Sequence, residues 1–189
     1  DDSVMAFEVL EDARRVVAVL GKRLARYGLT LHPDKTRLVD FRFHRPEGTH
    51  HPETGGTAFD FLGFTHVWVK SQKGVNGVRQ VTAKGRYARA LAAAMDWCRR
   101  NRHRPLLDQH AHLSAMMRGH YAYYGISGNS RRIRWYASQV VRVWKKWLSR
   151  RDRQGVFHWS RLNALLQRHP LPPARIVHRY YAAASKALP

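Results

Sequence analysis

The stretch that decides the fold opens with YGLTLHPDKT, residues 27–36, and closes with FDFLGF, residues 59–64. Leu29 and Leu31 alternate with polar neighbours, as in a half-buried strand. Pro33-Asp34 is turn chemistry, because proline presets φ and aspartate bonds the backbone two residues on. Val39, Phe41 and Phe43 then share one face of an expected second strand, and a third is centred on Leu62. The pattern predicts a small antiparallel sheet with connections rich in Pro and Gly.

On the N-terminal side, residues 3–7 are mostly apolar and are expected to be the tail of a strand. Leu10, Ala13, Val17, Leu20, Leu24 and Tyr27 follow at helical spacing, with Glu11 and Asp12 early and Lys22, Arg23 and Arg26 late, which suits the helix dipole. Gly28 is the expected C-terminal cap. On the C-terminal side, residues 44–58 read as a Pro/Gly loop, 59–70 as a strand bent at Gly63, and 71–77 as a turn. Residues 78–81 are expected to return as a strand, and Thr82 to cap the next helix. From Lys84 onward the apolar period is helical. Tyr87, Leu91, Ala94 and Cys98 form one stripe; Leu113, Met117, Tyr121 and Tyr124 a second, begun by Pro105; Ile133, Ala137, Val140, Trp144 and Trp147 a third. A shorter helix over 159–168 stops at Pro170. The fold class expected is α+β: a small antiparallel sheet plus helix over 1–83, then a basic all-α bundle over 84–189.

Charge separates these halves. The 189 residues carry 34 Lys and Arg against 13 Asp and Glu, a net charge of +21. Residues 84–189 hold 22 of the basic residues and only three acidic ones, a net of +19. A cationic half beside a nearly balanced one implies a polyanionic partner, nucleic acid first and an anionic membrane surface second. The single cysteine, Cys98, allows no intrachain disulfide and suits a reducing cytosol. No apolar run approaches the ~20 residues of a membrane span. Since the chain starts at Asp1, inside an apparent strand, it is expected to be the C-terminal portion of something longer.

The order Asp1-Asp2, helix, GLTLHPDKT and FDFLGF resembles the reverse transcriptases of group II introns. The likeness continues through CRRNRHRPL (98–106), RGHYAYYGISGN (118–129) and PLPPARIVH (170–178), and so covers nearly the whole chain. It implies an incomplete reverse-transcriptase palm followed by the thumb, or maturase, domain. Asp1 and Asp2 would then end a Tyr-Ala-Asp-Asp box as ligands of two Mg²⁺ ions, which prefer hard oxygen donors. The family's third carboxylate lies on an earlier palm strand, so this chain alone is expected to be inactive, the whole protein an RNA-directed DNA polymerase that extends a DNA primer with dNTPs on an RNA template. On spacing alone, adjacent aspartates are a common surface pair. Lys35, in solvent on the simplest reading, takes from the resemblance a place near the incoming nucleotide as a catalytic cation, with Thr36 holding register. Leu62 and Gly63 become a primer grip, because a residue without a side chain lets a nucleic-acid backbone approach closely.

The basic half supplies the expected contacts to intron RNA and template–primer: Lys84, Arg86, Arg99, Arg100, Arg118, His120, Tyr123, Arg131, Arg132, Arg134, Lys145 and Lys146. Cations meet phosphates, and aromatic rings stack on unpaired bases. His120, Arg118 and Tyr123 are read as lying off the apolar stripe of their helix. His44, His50 and His51 fit no zinc-ligand spacing and lack a cysteine partner. Two rival readings are a non-catalytic RNA-binding splicing factor with a decayed palm, and a related bacterial reverse transcriptase outside introns.

Overall fold

The computed structural model describes residues 2–42, 58–70, 74–151 and 157–179. Among these are five helices and a three-stranded antiparallel sheet, so the chain is mixed α+β. It divides into two compact units, Asp1–Val78 and Arg79–Pro189.

In the first unit, α1 (Leu10–Ala25) forms on the expected stripe. The amide of Leu29 bonds the carbonyl of Leu24 (3.0 Å) and that of Gly28 bonds Ala25 (3.1 Å), while Gly28 takes φ +70°. These paired bonds satisfy the last carbonyls, and the left-handed conformation is one that glycine adopts without a Cβ penalty. Ala13 is buried, but Tyr27 is 80% exposed, so the apolar stripe ends at Leu24.

The expected strands around this helix need correction. Residues 3–7 are exposed and outside any strand. Leu29 and Leu31 lie in irregular backbone, and Val39 forms only an isolated bridge; Phe43 lies outside the described residues. Alternation over so few residues did not suffice to specify a ladder. The Pro33-Asp34 turn does form, its amides at Lys35 and Thr36 donating to the carbonyl of His32.

FDFLGF is likewise not one bent strand. It is a hairpin of β1 (Ala58–Phe61) and β2 (Phe64–Lys70), antiparallel with Phe61 opposite Phe64. Leu62 and Gly63 form the two-residue loop at φ +47° and +80°, the doubly left-handed pattern of a type I′ turn. β3 (Asn76–Thr82) completes the sheet in the order β1-β2-β3, close to the expected returning strand. Phe41 packs edge-on against Phe59 (4.9 Å) and tilts over Trp68 (5.6 Å), whose indole N–H donates to the carbonyl of Phe41.

The second unit holds α2 (Lys84–Arg100), α3 (Leu106–Tyr124), α4 (Ser130–Leu148) and α5 (Trp159–Arg168). Ala94 and Cys98, Leu113, Met117 and Tyr121, Ile133, Val140 and Trp144, and Leu162 form one core, as their spacing predicts. Tyr136, Val143 and Leu148 join it, so the apolar face of α4 is wider than a single stripe. Burial pushes the Cys98 thiol up to about 12, which leaves it inert at neutral pH. Thr82 is not a helix cap: Ala83 occupies the N-cap of α2, and no side chain bonds there.

Beyond α5 the chain runs extended along α3. His110 Nε2 bonds the carbonyl of Pro170 (3.0 Å), and the Tyr121 hydroxyl donates to that of Pro172 (3.3 Å). The amides of Val177 and His178 both donate to the carbonyl of Gly125, and Ile126 and His178 form a parallel bridge. Gly125 is required here. A Cβ would lie 2.3 Å from the carbonyl oxygen of Tyr121 and 2.9 Å from that of Arg175.

Candidate nucleic-acid interface

Two buried amides fix the ends of the bundle, and both sit where cations gather. Asn129, 1% exposed, donates through Nδ2 to Thr82 Oγ1 and to the carbonyl of Tyr124, both at 2.8 Å. Its Oδ1 accepts the Thr82 amide at 3.1 Å. One side chain therefore ties the end of β3, two residues before α2, to the end of α3 and the start of α4. Gln109 does the same at the other end. It donates to the carbonyls of Arg102 (3.2 Å) and Arg104 (2.8 Å) and accepts the Trp144 indole N–H (2.9 Å). Neither amide was anticipated from the sequence. A polar residue four before Leu113, in line with the α3 stripe, was the available signal for Gln109.

At the Asn129 end, Tyr124 lies in the field of Arg86 and Arg89; burial raises its pKa and the two cations oppose the rise. Tyr123, 53% exposed, meets Tyr124 edge-on at 4.8 Å. Arg132 stands 5.7 Å over the Tyr87 ring, whose pKa burial likewise raises against the pull of Arg132. Arg79 lies against Gly128, where a Cβ would come within 3.1 Å of its side chain. Lys84, Arg118, Arg131 and Arg134 are exposed. The two described carboxylates of this unit, Asp96 and Asp108, belong to the C-terminal part of α2 and the start of α3, toward the other end.

At the Gln109 end the cations are more engaged. Asp96 holds Arg99 at 2.9 Å and Arg100 at 2.8 Å, and its pKa falls chiefly through the Arg99 hydrogen bond. Lys145 sits 5.1 Å over Trp159; Lys146 and Arg150 stand 5.8 and 5.1 Å from the Trp147 ring. Cation–π contacts leave the charge exposed while fixing its position.

One expected contact is corrected. His120 is buried at 8% exposure and stacked on Tyr136 at 3.8 Å, so it belongs to the core rather than to a nucleic-acid face. Burial lowers its pKa to about 4, and the ring stays neutral.

In the first unit, Asp1 lies outside the described residues, as do His44, His50 and His51. Asp2 is exposed and outside any helix or strand, and Lys35 is exposed in its turn. Among the described residues no three His, Cys, Asp or Glu side chains come together to hold a metal. Of the expected pair of magnesium ligands, Asp2 alone is among the described residues. Leu62, 52% exposed at the hairpin tip, combines apolar exposure with a strained φ. No helix is long and apolar enough to cross a membrane, among the described residues. No family model, curated protein or solved structure matches the chain.

Proposed function

We propose that the helical unit Arg79–Pro189 binds RNA, and that the chain is the palm end and thumb of a reverse transcriptase/maturase of group II intron type. RNA-directed DNA synthesis and the binding of template, primer and intron RNA belong to that proposal. The observation that carries it is the Asn129 end of the bundle. Three chain segments tied by one amide gather Arg86, Arg89 and Arg132 around Tyr87, Tyr123 and Tyr124. Cations for phosphates beside rings for bases is the composition of a nucleic-acid surface, and structured RNA offers unpaired bases and 2′-hydroxyls that duplex DNA does not.

The test is a filter-binding titration of structured RNA across a salt series. Log affinity should fall with log salt by about 0.7 for each single-strand phosphate contacted. Changing Arg131, Arg132 and Arg134 together to Glu should weaken binding and flatten the slope without loss of helix, because all three are exposed. Salt-independent binding, or a triple variant that binds like the parent, rejects the proposal.

A further inference from the structure

The chain holds six tryptophans, and five are engaged. Trp68 donates to a carbonyl and packs on Phe41, Trp97 stacks on His112 at 3.9 Å, and Trp144 is fully buried. Trp147 lies beneath Lys146 and Arg150, and Trp159 beneath Lys145. Trp135 differs. It is 54% exposed, and among the described residues no ring or cation stacks on it. A tryptophan left half in water in the middle of a helix costs hydrophobic free energy that an Arg or Glu at the same position would not.

Its neighbours on α4 specify what fits it. Arg131, Trp135, Ser138 and Arg142 recur at steps of four, three and four, so they share one face, and all four are exposed. At the helical rise, Arg131 lies ~6 Å from Trp135 along the axis and Arg142 ~10 Å beyond it. The Ser138 hydroxyl donates to the carbonyl of Trp135 at 2.8 Å, so it adds no competing charge. α4 carries six Lys and Arg and no acidic residue. A flat π-face with a cation on either side, on a helix without carboxylates, complements a strand of phosphates with an unpaired base between them.

We infer that Trp135 is a base-stacking platform for single-stranded RNA, with Arg131 and Arg142 holding the phosphates on either side of the stacked nucleotide. This rests on the proposed RNA-binding function and sharpens it: the outer face of α4 takes unpaired nucleotides, not duplex. Stacking needs only a π-face, so the site tolerates any base.

The experiment measures fluorescence anisotropy of the full chain with a labelled oligouridylate of about eight nucleotides, a length within ordinary single-strand site sizes. Trp135→Ala should weaken binding by about 5- to 150-fold, the worth of one stacked base, and leave the salt slope unchanged. Trp135→Phe should retain most of the affinity. Arg131→Gln with Arg142→Gln should instead lower the slope by about 0.7 for each phosphate no longer neutralised. An oligomer abasic throughout should bind the wild type as weakly as the intact oligomer binds Trp135→Ala. If structured RNA binds with a salt slope but Trp135→Ala leaves oligouridylate affinity unchanged, the platform is wrong and the proposed function stands. If the wild type shows no salt-dependent affinity for either RNA, both are wrong. Loss of self-association in Trp135→Ala at unchanged oligomer affinity would give the ring to a second copy of the chain and overturn the inference.

Discussion

Removing Asn129 tests how the basic end of the bundle is held together. The side chain makes three hydrogen bonds in a site where Thr82 and Asn129 are both 1% exposed. Asn129→Ala deletes all three and leaves the Thr82 amide and the Tyr124 carbonyl without those partners. Each neutral bond removed is worth about 1 kcal/mol net, and a buried group left unpaired about 1–3 kcal/mol. The sum expected is about 3–5 kcal/mol, a large part of the stability of an ordinary domain. Thr82→Val removes only the hydroxyl and should cost about 1 kcal/mol, with a coupling to Asn129→Ala of similar size in a double-mutant cycle. Asn129→Asp is the sharper variant. A carboxylate still accepts the Thr82 amide but repels the Tyr124 carbonyl, whereas a carboxylic acid can donate to it. Burial raises the folded pKa of such a group above its unfolded value, so its stability contribution is present at low pH and lost as pH rises through the folded pKa. Urea unfolding followed by far-ultraviolet circular dichroism at pH 4.5 and 7 reads both effects. A loss below about 1 kcal/mol for Asn129→Ala would refute the view that one amide holds three chain segments together.

Further outcomes follow from individual contacts. Trp144→Ala should cost about 3–5 kcal/mol by emptying the core, and Trp144→Phe, which mainly orphans Gln109 Oε1, about 1–3 kcal/mol, both read from urea midpoints. Gly125→Ala should cost about 1–3 kcal/mol and speed hydrogen exchange at the Val177 and His178 amides, because the new Cβ meets backbone on both sides. His120, held neutral with a pKa of about 4 against an ordinary 6.5, stabilises the fold above pH 6.5; that contribution is lost as pH falls from 6.5 toward 4. The wild-type urea midpoint should therefore drop across that window, and His120→Phe should flatten the drop.

The helices were legible because each buries a repeating stripe long enough to be unambiguous. Leu113, Met117 and Tyr121 sit where a 3.6-residue period puts them, and so do Ile133, Val140 and Trp144. The strands over 27–43 were not legible, since two alternating leucines and three alternating apolar residues are compatible with irregular backbone. FLGF misled for a different reason. Type I′ loops favour Asn-Gly, and a leucine at φ +47° is a poor advertisement for one, so Gly63 looked like a bend. His120 was misassigned through a narrow choice of stripe: it lies seven residues after Leu113 and three after Met117, on the face that those residues define.

The site was legible as composition and illegible as arrangement. Counting charge finds the basic half, but it weights Arg99 and Arg100 the same as Arg131, although Asp96 engages the first two. Arg and Lys packed at helix ends repel one another, and helix ends are where a bundle frays first. A surface built there needs its backbone pinned by contacts that cations cannot supply. Buried amides suit the task, since Asn and Gln carry donors and an acceptor with no charge to add to the repulsion. They are costly to bury unless fully bonded, which makes them poor choices for stability alone. Their use at both ends is better explained by holding helix termini in fixed relation than by filling a core. The Asn129 end then differs from the Gln109 end in what surrounds the pin: lightly engaged arginines and an exposed tyrosine against cations already laid on Asp96, Trp147 and Trp159. Under the proposed RNA-binding function, that difference makes the Asn129 end the expected first contact.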